Sequence, residues 1–439
     1  MNTRACGILL HITSLPGGTL DRSAYAFADR LSSASQSFWQ VLPLNPVLEG
    51  NSPYFSGSVF AGGEHLIAPG ARHEYGREFA DFREKQSYWL NDYALFTALK
   101  RRDARPFWEW EPRFRRRDTG ALISFSLENR EELEQIKKMQ YEFQCCWLEL
   151  KKYANDKGIS IIGDMPFYSA GDSADCWAHS ELFRFDSAAG CPPDDFSPTG
   201  QLWGNPTYDF SAMERDGYRW WRERFRRASD MYDVIRVDHF RGFESFFSIP
   251  KGCAPDKGSW VKGPGYGLFK RVFEDCAGIR LIAEDLGYIT PEVTELIERC
   301  GIPGTRVLEF AFDESMSSIY LPHNLEKNSV VYTGTHDNNT ANGWFETADD
   351  KTKELFIEYS GKAERESAAD AMLRLMYSSV SKLAVAPMQD VLNLTDARMN
   401  TPGTVGGKNW MWRMRPEAFD DKTVSRLKNA AWRYGRADN

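Results

Sequence analysis

The chain has 439 residues, with 54 Lys and Arg against 62 Asp and Glu and a formal net charge of −8. Apolar residues make up 42% of it and charged residues 26%, which is ordinary for a folded globular protein and excludes a wholly disordered one. The acidic balance argues against nucleic acid as the main partner. No stretch approaches the ~20 apolar residues of a membrane span, and residues 1–12 are too short and polar for a secretory signal, so a cytoplasmic protein is expected.

Short apolar, β-rich runs recur in chain order at 5–12, 37–44, 160–167, 233–240, 280–287, 306–312, 329–335 and 383–390. Helical patterns at 22–34, 129–157, 264–277, 291–300, 364–379 and 421–435 lie among them. Eight strands alternating with helices predict an α/β fold, a (β/α)8 TIM barrel, in which reactive side chains gather at the C-terminal ends of the strands. A bare barrel needs about 250 residues. The surplus therefore belongs to long subdomains inserted in the βα loops of one catalytic barrel spanning 1–439. The largest insertion, 45–159, is expected to be mainly helical. A second, 168–232, is rich in Gly, Pro, Asp and aromatics and is expected to be loop-rich.

Trp 14, Tyr 18 and Phe 28 supply 14% of the chain, which fits either a large core or a cleft that stacks flat apolar faces on rings, as sugar clefts do. None of the eight cysteines forms a C-x-x-C pair, so they read as free buried thiols. The seven histidines show no metal-ligand spacing. The GTVGGK run at 403–408 lacks the glycine spacing of a phosphate loop, and Asn409 follows its lysine. No metal and no cofactor is expected.

The informative residues end the apolar runs. The third run ends on Asp164, the fourth carries Arg236 and Asp238, the fifth Glu284 and Asp285, and the seventh leads into His336 and Asp337. One strand-end carboxylate is easily a structural ion pair, but four separate ones are costly unless they are used. Arg236 and Asp238 stand two apart and share a strand face, so the guanidinium favours an ionised Asp238. Glu284 follows Leu-Ile-Ala, a setting that disfavours its charge and suits a proton donor. Two carboxyls with separated pKa values are what glycosidic bond cleavage requires. Asp337 with His336 could bind sugar hydroxyls and keep Glu284 protonated by repulsion.

At these residues the chain resembles the 4-alpha-glucanotransferases, the amylomaltase or disproportionating-enzyme family of the alpha-amylase clan. The clan's four barrel motifs match Asp164, Arg236 with Asp238, Glu284, and His336 with Asp337. NSPYFSGSVFAG at 51–62, DSADCWA at 172–178, PPDDFSPTGQLWGNPTY at 192–208, AEDLG at 283–287, PGTRVLEFAF at 303–312, MQDVLNL and RMNTPGT are more specific to the family. The resemblance implies a retaining transferase acting on α-1,4-glucans such as maltodextrins, amylose and glycogen branches, with glucose or another glucan as acceptor. Asp238 would be the nucleophile, Glu284 the acid and base, and Asp337 the transition-state stabiliser. Retention implies the two working carboxyls about 5–5.5 Å apart.

By motif match, Asp164, Arg236 and His336 orient the nucleophile and the sugar beside it, while Ser52 and Tyr54 line the donor side. Phe196 and Trp203 form the acceptor platform, to which 168–232 contributes, and Asp313 and Asn400 bond sugar hydroxyls. Three positions depart from the family pattern. Gly18-Thr19-Leu20-Asp21 replaces a glycine-rich segment, Asp195 stands where an aromatic is common, and Gly171 stands where a histidine is often found. A hydrolase on the same barrel uses the same carboxylates, and a non-catalytic sugar-binding barrel needs none of them. Arginine interleaved with rings at 101–117 and 218–227 suits either single-stranded nucleic acid or, with the acidic net charge, a solvated and ion-paired face.

Overall fold

The computed structural model describes residues 4–193, 198–312 and 317–437. Twelve strands occur among them. In chain order they are β1 (Ala5–Leu9), β2 (Phe38–Gln40), β3 (Ser160–Met165), β4 (Phe183–Cys191), β5 (Gln201–Tyr208) and β6 (Val234–Val237). They continue as β7 (Ser245–Pro250), β8 (Ser259–Lys262), β9 (Leu281–Ala283), β10 (Gly304–Val307), β11 (Ser329–Tyr332) and β12 (Leu383–Pro387). Eight of these close a parallel barrel in the order β1-β12-β11-β10-β9-β6-β3-β2, one for each apolar run of the sequence.

Leu9, Phe38, Ile162, Val234, Ile282 and Val385 fill the barrel's interior. Within it Tyr332 donates a hydrogen bond to Gln40 Oε1 at 2.8 Å, so the two buried polar groups satisfy each other. The strands stop sooner than the apolar runs do. The sixth run, read as 306–312, is a strand only over Gly304–Val307, followed by a 3-10 turn at Leu308–Phe310. Leu308, Ala311 and Phe312 stay apolar because that turn is itself buried, and periodicity cannot separate a buried turn from a buried strand.

The six expected helices form, at Arg22–Ser33, Arg130–Asp156, Tyr266–Asp275, Pro291–Cys300, Ala368–Ser378 and Asp421–Arg433. The region 45–159 holds further helices at Arg77–Lys85, Ser87–Arg102 and Thr119–Glu128. The 27-residue helix Arg130–Asp156 serves two bodies. Leu133, Ile136 and Tyr141 pack in the core of the insertion, and Trp147, Leu150 and Ala154 pack against the barrel.

The region 168–232 is more ordered than its turn-rich composition predicts. It contributes the hairpin β4–β5, which pairs with β7 and β8 in an antiparallel sheet of order β5-β4-β7-β8. Register shifts between Arg184, Ala188 and Gly190 break the alternation that would mark these strands in sequence. The cysteines are all free, but only Cys6, Cys146 and Cys176 are buried, and Cys253 is exposed. No helix among the described residues is long and apolar enough to cross a membrane.

Candidate active site

Strand register assembles the reactive groups. β3 and β6 pair with Asp164 opposite Arg236, and β6 and β9 pair with Val237 opposite Ala283. Glu284 therefore follows its strand directly beside Asp238, and its backbone N–H donates to the Val237 carbonyl at 3.0 Å. Arg236 Nη1 donates to both oxygens of Asp164, each at 2.8 Å, and to Asp238 Oδ1 at 3.0 Å. The side chains of Arg236 and Asp164 are 5% and 0% exposed, whereas that of Asp238 is 25% exposed. Asp238 thus meets the cleft and Asp164 lies beneath it, acting on the site through Arg236 and through Tyr54, whose hydroxyl it accepts at 2.7 Å.

Burial pushes the Asp238 carboxyl up to about 6, against the pull of Arg236 and with Asp164 adding repulsion. Arg236 favours the ionised form of Asp238, as expected, but the guanidinium is shared with Asp164 and desolvation of Asp238 outweighs its pull. Glu284 is held by two backbone donors, His239 N–H to Oε2 at 2.8 Å and Leu286 N–H to Oε1 at 2.9 Å. Even so, burial raises it to about 7, and the neighbouring Asp238 charge adds to the rise. The repulsion expected from Asp337 comes from Asp238 instead.

The Asp337 side chain is half-exposed, and His336 and Asn400 outweigh its partial desolvation and hold this carboxyl well below the usual range. His336 Nε2 lies 3.4 Å from Asp337 Oδ2, and Asn400 Nδ2 donates to Oδ1 at 2.6 Å. The imidazole is itself raised, because the Asp337 charge offsets its burial. Arg398 ties the backbone here, donating to the Asp337 carbonyl at 2.7 Å and to the Asn400 carbonyl.

Tyr54 stacks on His336 with centroids 4.9 Å apart, and Trp410 leans on both at 5.8 Å. Trp410 was not legible as a site residue. It follows the run that mimics a phosphate loop and takes a left-handed φ of 62°, which turns the chain back over Tyr54. Ser52 is half-buried in the turn before Tyr54, its carbonyl accepting the Phe55 N–H at 3.1 Å. The DSADCWA motif is a clamp for this turn. Ser173 caps the helix Ala174–Ala178, and buried Asp175 accepts the Val59 N–H at 2.9 Å.

On the other side of Glu284, Trp203 of β5 packs edge-on against His239 at 5.2 Å and near Tyr168 at 5.9 Å. Trp203 is 36% exposed, so its ring is not sealed in a core. The Tyr168 hydroxyl and His239 Nε2 beside it are buried atoms without a hydrogen-bond partner among the described residues. His239 and Tyr168 escaped sequence reasoning, although DHFRGF placed a histidine directly after Asp238. Phe196, Asp195 and Asp313 lie outside the described residues. Gly171 is covered by Pro206 and the ring of Trp108, which would stand 3.9 Å from a side chain there.

A buried arginine linking two carboxylates and a third carboxyl raised to about 7 at the next strand end match the sequence motifs in space. The 4-alpha-glucanotransferase family profile covers residues 10–74 and 68–419. The chain belongs to the 4-alpha-glucanotransferase family. It is 44% identical over 498 residues to the 4-alpha-glucanotransferase of Streptococcus pneumoniae serotype 4, covering 99% of this chain and 98% of the relative. The Thermus thermophilus 4-alpha-glucanotransferase is 41% identical over 491 residues, with 98% of each chain covered. Among solved structures, an amylomaltase from Streptococcus agalactiae in complex with acarbose superposes with a TM-score of 0.94 at 36% identity, covering 99% of this chain and 100% of that one. The protein is accordingly an enzyme, a glycosyltransferase acting on α-1,4-glucans.

The alignment with the pneumococcal enzyme runs over 498 positions against 439 residues here, so that relative carries segments this family member lacks. The two matched stretches meet at 68–74, in a strap fastened to the long helix where His73 Nδ1 meets Glu142 Oε2 at 2.6 Å. The arginine-rich stretches are largely committed to acids or rings. Arg101 pairs with Glu132 at 3.1 Å, Arg117 with Asp92 at 2.6 Å and Arg222 with Asp275 at 2.7 Å, while Arg224 lies 4.4 Å from the Trp221 ring centre.

Proposed function

We propose that the enzyme moves a segment of an α-1,4-glucan by double displacement with retention. Asp238 attacks the anomeric carbon as Glu284 gives its proton to the departing glycosidic oxygen, which leaves a glycosyl ester on Asp238. The 4-hydroxyl of glucose or of another glucan then attacks that carbon, Glu284 takes the hydroxyl proton, and the ester breaks to restore both carboxyls. Asp337, kept ionised by His336 and Asn400, binds hydroxyls of the reacting sugar as positive charge develops on its ring. Tyr54 and Trp410 wall this donor side. Trp203 carries the acceptor and keeps water from the ester, and the orphaned Tyr168 hydroxyl and His239 nitrogen suit a ligand edged with hydroxyls.

The observation that carries the reading is the pairing of Asp238 and Glu284 at adjacent strand ends, one bonded to Arg236, the other raised to about 7 by burial. Incubation with maltotriose alone tests it. Glucose together with a ladder of longer maltodextrins, at constant total reducing ends, is the expected result. Reducing ends that rise without longer products would make the enzyme a hydrolase.

A further inference from the structure

Two exposed rings beyond the reacting groups have no part in the mechanism above. Tyr288 is 66% exposed and Trp260 is 39% exposed, yet they stack on each other with centroids 6.2 Å apart and 21° between planes. Arg241 fixes both. Its guanidinium sits 3.7 Å from the Trp260 ring centre, and its Nη1 donates to the Tyr288 carbonyl at 2.6 Å. Cover for Arg241 would explain Trp260, but it does not explain an aromatic at 288 that buries so little of itself. Rings held rigid with their faces in water are preorganised for a flat apolar ligand, since their ordering cost is met before binding.

Position says which ligand. Tyr288 follows Glu284 by four residues in a loop whose Leu286 N–H bonds that carboxyl, so Tyr288 belongs to the loop that leaves the reacting groups. Arg241 lies two residues beyond His239 in the turn after β6, and His239 packs against Trp203. One short turn therefore links Trp203, through His239, to the Trp260–Tyr288 pair that Arg241 holds. We propose that Trp260 and Tyr288 form an outer platform that grips the distal sugars of an α-1,4-linked acceptor chain by stacking on their pyranose faces. The proposal rests on the reading of the Trp203 side as the acceptor side.

The test uses α-maltosyl fluoride as donor, whose leaving group places no sugar on the acceptor side, with glucose or maltopentaose as acceptor. Tyr288→Ala is expected to raise KM for maltopentaose about fivefold to tenfold and to leave KM for glucose and kcat unchanged, with Tyr288→Phe restoring most of the loss. Equal KM values for Tyr288→Ala and the unaltered enzyme overturn the platform. So does an equal loss for both acceptors, which would place Tyr288 in support of the Glu284 loop. Should the unaltered enzyme transfer to neither acceptor, the transferase reading fails. Calorimetric titration of maltopentaose into Asp238→Asn, with and without Tyr288→Ala, then still decides the platform, because matching affinities overturn it.

Discussion

On the side we propose for the donor, Arg236 and Asp164 are buried beneath Asp238 and joined by hydrogen bonds of 2.8 Å. On the side we propose for the acceptor, Trp203, Trp260 and Tyr288 keep between 36% and 66% of their surface in water. Arg236 and Asp164 come from barrel strands, where parallel pairing fixes each side chain against its neighbour. The three exposed rings come from an antiparallel sheet outside the barrel and from a loop. The difference follows from what each side holds. A reacting sugar must meet attacking and proton-donating atoms to within fractions of an ångström, which calls for buried, fully bonded supports. An acceptor of varying length needs surface that any glucose unit can stack on, and a ring supplies that without fixing register.

The sharpest way to break the donor side alone is Asp238→Asn, expected to lower kcat/KM by about 10⁴-fold or more while the protein stays folded by circular dichroism. Glu284→Gln should be comparably impaired on maltodextrins but should regain much of its first step with α-maltosyl fluoride, which departs without a proton. A pre-steady-state burst of fluoride would show that recovery.

Next in size, Arg236→Ala leaves the buried Asp164 charge without its partner, and urea unfolding should show a loss of about 3–5 kcal/mol.

The pH profile of kcat/KM sharpens the same contrast. Asp238 must be ionised, so activity rises as pH passes about 6, and Glu284 must be protonated, so activity falls above about 7. A maximum between these values is expected, with about tenfold loss per pH unit well outside them. A profile flat from pH 5 to 8 would remove burial as the control on either carboxyl.

The smallest effect belongs to the acceptor side. Trp203→Ala should raise the acceptor KM about tenfold and increase the hydrolysed share of product, with the first-step rate on α-maltosyl fluoride nearly unchanged. Similar losses in both steps would mean that Trp203 supports the donor pocket, and the division between the two sides would fail.

Sequence alone determined the barrel and marked the residues proposed to react. Each strand is a short apolar run, and the ionisable residues that end the runs are too costly to bury without use, so Asp164, Arg236, Asp238, Glu284, His336 and Asp337 stood out by position. Tertiary structure decided how those groups share their charges. Whether Arg236 serves Asp238 alone depends on the β3–β6 register that sets Asp164 opposite it, and whether Asp337 repels Glu284 depends on the partners that His336 and Asn400 supply. The aromatic residues on both sides were hidden for a related reason. β4 and β5 carry register shifts that erase alternation, β7 and β8 join them from a separate stretch of chain, and Trp410 reaches Tyr54 only through a left-handed turn. Local sequence encodes which residues are apolar or charged. Which of them meet is set by pairings between segments as far apart in the chain as Tyr54 and Trp410, and those exist only once the barrel has closed.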